Sequence, residues 1–578
     1  MMYSAAIQKL PRHFIPENFV ITNWGSLAGY FQVLSDRTIS NVTALENWLR
    51  DLSELEAVIS EDACWRQIKM TCDTENKELE ERFNYFMLEI QPHIQVWSDK
   101  LNRKLVDCPF TLSLDPKKYF TFLRSIRKQI DLFRESNIPL IAELSVLQQQ
   151  FGVIAGKMTV TVNGNEYTLQ QAAKFLEDEN RSVREEVYRK IAERRYQDQA
   201  ALTSLFEQLL EKRNTLAANA GFTNYVQYRF LELGRFDYNP EMCAQFHDAV
   251  RDHVMPLVNE LYERKRKKLG LAELRPWDLE AEPAGTAPLR PFTNGVELTK
   301  KTIDCLTKLR PFFGDCLNRM QQMGHLDLDS RKGKAPGGYN CPLAESGAPF
   351  IFMNAAGTLD DVTTMVHEGG HAIHSFLCHS LELNGFKEYP TEIAEVASMA
   401  MELFTMQHWD VFFSDSNELS RAKEQQLERV ITIFPWIATI DKFQHWLYTH
   451  PVHTAKEREV MWMSILQEFS SPVVDFSGLE KYRAVLWQRQ LHLFEVPFYY
   501  IEYGIAQLGA IGLWQQYKND PDRAINNYLN ALSLGGTKTL PELFAAADLK
   551  FDFSNTAISK LMKFVKSELD QITFTTSS

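Results

Sequence analysis

The run from Gly357 through Thr358, Asp360 and Asp361 into His367-Glu368-Gly369-Gly370-His371 constrains this chain more than any other stretch. It reads as one helix. Thr358 is an N-cap with Asp361 three residues on, and both acids of the first turn suit the positive end of the helix dipole. On that helix His367 and His371 stand one turn apart on a single face, the spacing that lets two imidazoles grip one zinc ion. Glu368 points off beside them, placed to act on a water rather than on the metal. The competing reading is a surface helix with two solvated histidines. Against it, Gly369 and Gly370 lie mid-helix, where each costs on the order of 1 kcal/mol relative to Ala. Another backbone or a ligand is therefore expected close by.

A third ligand follows. Tyr389-Pro390-Thr391 marks the entry to a second helix, expected from Glu392 to about Trp409 with Thr391 as cap. Ala394, Ala397 and Ala400 are small and helically spaced, which lets this helix pack closely on the glycines of the first. Glu395 lies 24 residues after His371, a spacing compatible with a helix-loop-helix that returns a carboxylate to the metal. Two His and one Glu leave the fourth zinc position for water, the pattern of a hydrolytic site. Glu402 faces the same way two turns on and suits a hydrogen bond to a ligand histidine. Glu392, one turn before Glu395, is the rival ligand.

His367-Glu368-Gly369-Gly370-His371-x-x-His374 followed by Ala394-Glu395-Val396-Ala397-Ser398 resembles the thimet oligopeptidase and oligoendopeptidase F family of zinc metallopeptidases, closest to its bacterial oligoendopeptidase F and Pz-peptidase branch. Leu274-Arg275-Pro276-Trp277-Asp278-Leu279, Lys334-Ala335-Pro336-Gly337-Gly338-Tyr339 and the C-terminal tyrosines extend the resemblance over roughly 270–515. It implies zinc, one per chain, on His367, His371 and Glu395, with Glu368 as general base. Gly369 departs from the family pattern, where relatives more often carry a bulky apolar residue; the ligand spacing is untouched. The fold implied is mostly α: a large helical zincin-like body with a deep substrate channel and a small β-sheet near the metal site.

Composition narrows the alternatives. Apolar residues make up 45% of the chain, ample for a sizeable core. A formal charge of −13 argues against a nucleic-acid partner, which needs a basic face. Eight scattered cysteines without paired spacing match a reducing, cytoplasmic compartment. Met1 to Phe19 shows no export signal. The long apolar stretch Pro497–Trp514 contains Glu502 and reads as a buried helix, not a membrane span. The expected partners are oligopeptides, with the chain a monomer or small homo-oligomer.

Residues 1–115 read as a helical amino-terminal lobe, and 116–578 as the catalytic helical body. Val160, Val162 and Tyr167 alternate about Asn163-Gly164, a hairpin signal. Arg181, Arg184, Arg189, Arg194 and Arg195 read as surface ion-pair partners. Prolines and glycines over 271–296 mark a long loop. A second loop, Asp327–Leu343, carries Arg331, Lys332, Lys334, Gly337, Gly338 and Tyr339. It is either a plain surface loop or one whose glycines admit a substrate backbone and whose cations meet a peptide carboxylate. Pro349–Asn354 reads as a strand, preferred as an exposed edge that holds extended substrate by main-chain bonds. His374 shares the ligand face and suits a supporting role.

In the last informative stretch, Tyr500 and Tyr503 are i and i+3, so their phenols emerge from one face and could donate to one oxyanion. Aromatic residues so spaced are also common in cores. The resemblance assigns a His and the following Tyr-rich helix to hydrogen bonds with substrate and tetrahedral intermediate, so Tyr503 together with Tyr500 or His492 is expected to stabilise the oxyanion, with Tyr499 a substitute for Tyr500. The reading is a zinc endopeptidase of short oligopeptides. An exopeptidase using Arg331 or Lys334 to clamp a substrate C-terminus is the alternative within enzymes, and a metal-free helical peptide-binding scaffold the alternative outside them.

Overall fold

Buried side chains gather in two large clusters, and a third small one joins them near the site. The computed structural model describes residues 9–331 and 333–577, with side chains through 572, so Lys332 and residues 1–8 lie outside the described residues. The molecule is 71% helical with small sheets, the mostly α fold expected from the sequence.

The first cluster is built from helices whose apolar residues recur at three- and four-residue spacing. Leu27, Phe31 and Leu34 come from Trp24–Asp36, and Leu45, Trp48, Leu49, Leu52 and Leu55 from the long Val42–Cys72. Tyr119, Phe122 and Ile126 of Pro116–Leu132 join them, so by packing this helix continues the amino-terminal layer past residue 115. Leu383 and Phe386 reach into the same cluster from the catalytic body. The second cluster runs from Leu144 to Leu569 and holds the helices around the histidine motif.

Strands β1 (Thr159–Val162) and β2 (Asn165–Thr168) form the predicted antiparallel hairpin. Asn163 at φ 52° and Gly164 at φ 80° supply the two positive φ values that a type I′ turn requires. Strands β3 (Leu326–Asp329), β4 (Tyr339–Cys341) and β5 (Phe350–Ala355) make a second sheet in the order β3-β5-β4, with β5 parallel to β3 and antiparallel to β4. This corrects the expected edge strand: β5 is central, and β4 is an edge. Every residue of β5 but Asn354 is buried, which is why its sequence is a continuous apolar run without alternation. The span read as one loop, 327–343, thus contributes both outer strands. Ile68 of Val42–Cys72 packs with Cys341, Leu343, Phe350 and Phe352, fastening the amino-terminal layer to this sheet.

Pro497–Trp514 falls mainly in the buried helix Tyr500–Asn519. Among the described residues, the one segment long and apolar enough to cross a membrane by length and composition is instead Glu135–Gly156, whose apolar window is 11% buried. Three consecutive glutamines, Gln148 to Gln150, interrupt its pattern in the sequence.

Candidate metal centre

The motif helix, Leu359–Cys378, starts at the predicted capping box. Asp361 N donates to Thr358 Oγ1 at 3.3 Å and Thr358 N to Asp361 Oδ2 at 2.8 Å. The second helix runs from Thr391 to Thr405 and ends in a 3₁₀ turn through Val411. Pro390, with extended backbone, holds the cap position, so Thr391 is the first helical residue and makes no cap bond. The two helices cross at Gly370, where a Cβ would stand 2.5 Å from Ala397 O and 2.6 Å from Ser398 Cα. Gly369 differs: the nearest atom to a Cβ there is Leu306 Cδ1 at 3.6 Å.

This crossing brings the three predicted ligands together, with candidate atoms of His367, His371 and Glu395 all within 4.8 Å of one another. Glu395 Oε2 lies 3.3 Å from His367 Nε2 and 3.7 Å from His371 Nε2. Ligands about 2.0–2.2 Å from a tetrahedral zinc stand roughly 3.3–3.6 Å apart, so the donor set and spacing fit that ion. His367 Nδ1 is 2.7 Å from Glu402 Oε1, and Gln426 Nε2 donates to Glu402 Oε2 at 2.9 Å. The carboxylate thereby accepts a hydrogen bond from Nδ1–H and fixes the ring with Nε2 directed toward Glu395. Glu392 faces elsewhere and accepts from Tyr238 Oη at 2.6 Å.

Burial acts against charge on His367, Glu368, His371 and Glu395. It lowers His371 to about 4 and raises Glu368 to about 7. On Glu395 burial is outweighed by His371, His367 and Tyr499, which hold it at about 2. On His367 the bonds to Glu395 and Glu402 likewise overcome burial and raise it well above the usual imidazole value. Glu368 is buried, and its Oε2 has no hydrogen-bond partner among the described residues. An unpartnered carboxylate oxygen beside three converging donors is what a reacting water would complete. His374 supports the site differently from expectation. Its ring is fully buried and stacked on Tyr389, centroids 3.6 Å apart, and it makes no hydrogen bond to a ligand residue among the described residues.

The three tyrosines have different hydrogen-bond partners. Tyr499 donates to Glu395 Oε1 at 2.6 Å, so it fixes that carboxylate. Tyr500 and Tyr503 share a helix, yet Tyr500 Oη is engaged with Gln490 Oε1 at 3.0 Å, which revises the expected joint donation. Tyr503 Oη lies 3.3 Å from His492 Nε2, and Gln490 Nε2 lies 2.7 Å from His492 Nδ1. Burial, reinforced by Glu395 and Glu368 nearby, keeps the Tyr503 phenol protonated; burial also lowers His492 to about 4.

Edge strand β4 is tied to the motif helix through Asn340 Nδ2, 3.3 Å from Glu368 O. Gly337, at φ 98°, needs glycine, and a Cβ at Gly338 would meet Phe352 O at 3.4 Å. Tyr339 stacks on Phe352 and its hydroxyl is 2.6 Å from Thr71 Oγ1, so its phenol is engaged with the amino-terminal layer. The two described loop cations are also engaged: Arg331 forks Asp327 at 2.6 and 2.7 Å, and buried Lys334 bonds Asp327 Oδ1 at 2.9 Å.

Sequence reasoning missed the arginines that hold the tyrosine segment. Phe498 has φ 66°, a strained value for a bulky residue. Arg235 donates to its carbonyl and to Glu502 Oε1, Arg229 donates to Pro497 O, and buried Arg213 grips Leu493 O and Phe494 O. No local signal marks them, because their partners lie more than 260 positions away. Arg184, expected on the surface, is buried and paired with buried Asp278 at 2.9 Å. A second grouping, Cys243, Asp441 and His445, also has candidate ligand atoms within 4.8 Å. There Asp441 Oδ2 already accepts His247 Nε2 at 2.8 Å and lies 3.4 Å from His445 Nε2, so that carboxylate is shared between two imidazoles.

Known proteins share this arrangement of helices. The chain is 21% identical to the oligoendopeptidase F homolog of Borreliella burgdorferi over 72% of its own length and 70% of that protein. It is 22% identical to oligopeptidase PepF of Bacillus subtilis over 69% and 58%. In structure it matches Pz peptidase A, solved with an inhibitor, at a TM-score of 0.89 and 26% identity, covering 95% of this chain and 96% of that one. The profile of peptidase family M3 matches residues 174–563 and that of the M3 N-terminal domain residues 14–133; this chain belongs to peptidase family M3.

Proposed function

We propose that the protein is a zinc endopeptidase that hydrolyses internal bonds of short oligopeptides. The observation that carries this reading is the convergence of His367 Nε2, His371 Nε2 and Glu395 Oε2 beside the unpartnered Glu368 Oε2. Zinc held by those three side chains would supply Lewis-acid polarisation of the scissile carbonyl and of the attacking water. Glu368 Oε2 takes the proton of that water and returns it to the departing amine. Tyr503 donates a hydrogen bond from its phenol O–H to the oxyanion. Tyr499 and Glu402 hold the ligands in place from behind, and β4, an edge of its sheet, offers a strand for an extended peptide to pair with. The named relatives are oligopeptidases, which supports the substrate class. Arg331 and Lys334 are both engaged by Asp327, which favours neither of these two described cations as a clamp on a substrate carboxylate.

The test pairs metal analysis with a fluorogenic peptide blocked at both ends. One zinc per chain and internal cleavage are expected, with Glu368→Gln retaining the zinc and losing nearly all turnover. Cleavage confined to unblocked termini, or a Glu368→Gln variant of near-normal kcat, would overturn the assignment.

A further inference from the structure

We propose that Gln490 is a positioning residue that, oriented by Trp436 and Tyr500, holds His492 as the tautomer protonated on Nε2 and so leaves the Tyr503 phenol proton free for the substrate. This rests on the oxyanion role given above to Tyr503.

The chain of contacts fixes every proton in turn. Trp436 Nε1 lies 2.9 Å from Gln490 Oε1. An indole N–H can only donate, so that end of the amide is the carbonyl and the side chain cannot be flipped. Tyr500 Oη, 3.0 Å from the same oxygen, therefore donates as well. The amide nitrogen is left facing His492 Nδ1 at 2.7 Å. Gln490 Nε2 donates, so Nδ1 accepts, and a neutral imidazole that accepts on Nδ1 carries its proton on Nε2. That proton points at Tyr503 Oη, 3.3 Å away. The phenol oxygen accepts it and keeps its own hydrogen for another partner, and a hydroxyl that accepts a hydrogen bond is a better donor. The opposite tautomer would place a lone pair on Nε2, which would take the Tyr503 hydrogen and leave the oxyanion without a donor. Gln490, Trp436 and Tyr500 touch no reacting atom; they act through His492.

Gln490→Glu tests this with little change of shape. A carboxylate accepts from all three neighbours, so it draws the imidazole proton to Nδ1 and inverts the chain. Loss of one oxyanion donor typically costs about 10²- to 10³-fold in kcat, and that loss is expected here with KM little changed. In a Tyr503→Phe background the same substitution should cost nothing further, because the hydrogen it diverts is already gone. Nitrogen-15 NMR of labelled histidine in the zinc-free protein reads the tautomer directly, with His492 assigned by its absence in His492→Gln. An unprotonated Nδ1 is expected in the wild-type protein, which needs no folded Gln490 variant. A protonated wild-type Nδ1 overturns the inference, and so does additivity of Gln490→Glu with Tyr503→Phe. If Tyr503→Phe alone leaves kcat intact, the oxyanion reading falls, while the spectrum still judges the lock.

Discussion

Gly370 approaches Ala397 so closely that a Cβ on the glycine would stand 2.5 Å from the Ala397 carbonyl oxygen. His371 follows the glycine directly and Glu395 lies two residues before the alanine, so the distance between the helices also sets the distance between these two candidate ligands. Gly370→Ala must push the backbones apart, and zinc affinity is expected to fall at least tenfold, read by competition with a chelator. Gly369→Ala meets no atom closer than 3.6 Å. It should keep zinc and raise stability by up to about 1 kcal/mol, since Ala is the better helix former. Equal zinc affinities for the two variants would remove the close approach as the determinant of the site.

The difference between those glycines shows where sequence stops being legible. A mid-helix Gly-Gly signals crowding, but which glycine faces the neighbour depends on how the second helix lies. The convergence of His367, His371 and Glu395 was readable because a helix places i and i+4 on one face and Glu395 follows on the next helix. Phe350–Ala355 was readable as a strand, yet its central place depends on where Leu326–Asp329 and Tyr339–Cys341 pair, which local pattern does not encode. Tyr500 and Tyr503 share a face at i, i+3, and the sequence treats them alike. What separates them is Gln490 and Trp436, held near by tertiary packing. Arg184 looked like one charge in a solvated run; its burial follows from Asp278, 94 positions away.

Glu402 is predicted to set zinc affinity without touching the ion. Its Oε1 lies 2.7 Å from His367 Nδ1, and removing such a partner typically weakens metal binding by about 10- to 100-fold. Glu402→Ala should show that loss in a chelator titration, with kcat largely restored at saturating zinc. A variant that binds zinc normally yet stays inactive when loaded would place Glu402 in the chemistry instead.

Tyr499 and Tyr503 are predicted to fail in different ways. Tyr499→Phe frees Glu395 Oε1 from its bond of 2.6 Å and should weaken zinc retention several-fold, with a modest change in kcat for the loaded enzyme. Tyr503→Phe should leave zinc affinity alone and lower kcat by about 10²- to 10³-fold, with KM little changed. Zinc titrations and steady-state kinetics on both variants separate the two. Interchanged phenotypes would reverse the roles.

The pair Arg184–Asp278 is predicted to support the fold rather than the chemistry. Asp278 is fully buried, accepts Arg181 and Arg184 at 2.8 and 2.9 Å, and also accepts the Arg275 backbone N–H at 3.0 Å. Burial favours the neutral acid, but these bonds outweigh it and hold the carboxyl below its usual value. A group lowered in the folded state stabilises it above the unfolded carboxyl pKa, and that contribution is lost as pH falls through the folded value. Thermal stability should therefore carry an acid-side loss that Asp278→Asn lacks. At neutral pH the substitution leaves Arg184 buried without its counter-charge, a change that typically costs about 3–5 kcal/mol. Differential scanning calorimetry from neutral to acid pH checks both expectations. If Asp278→Asn melts like the wild type at neutral pH, the pair contributes nothing beyond a neutral hydrogen bond.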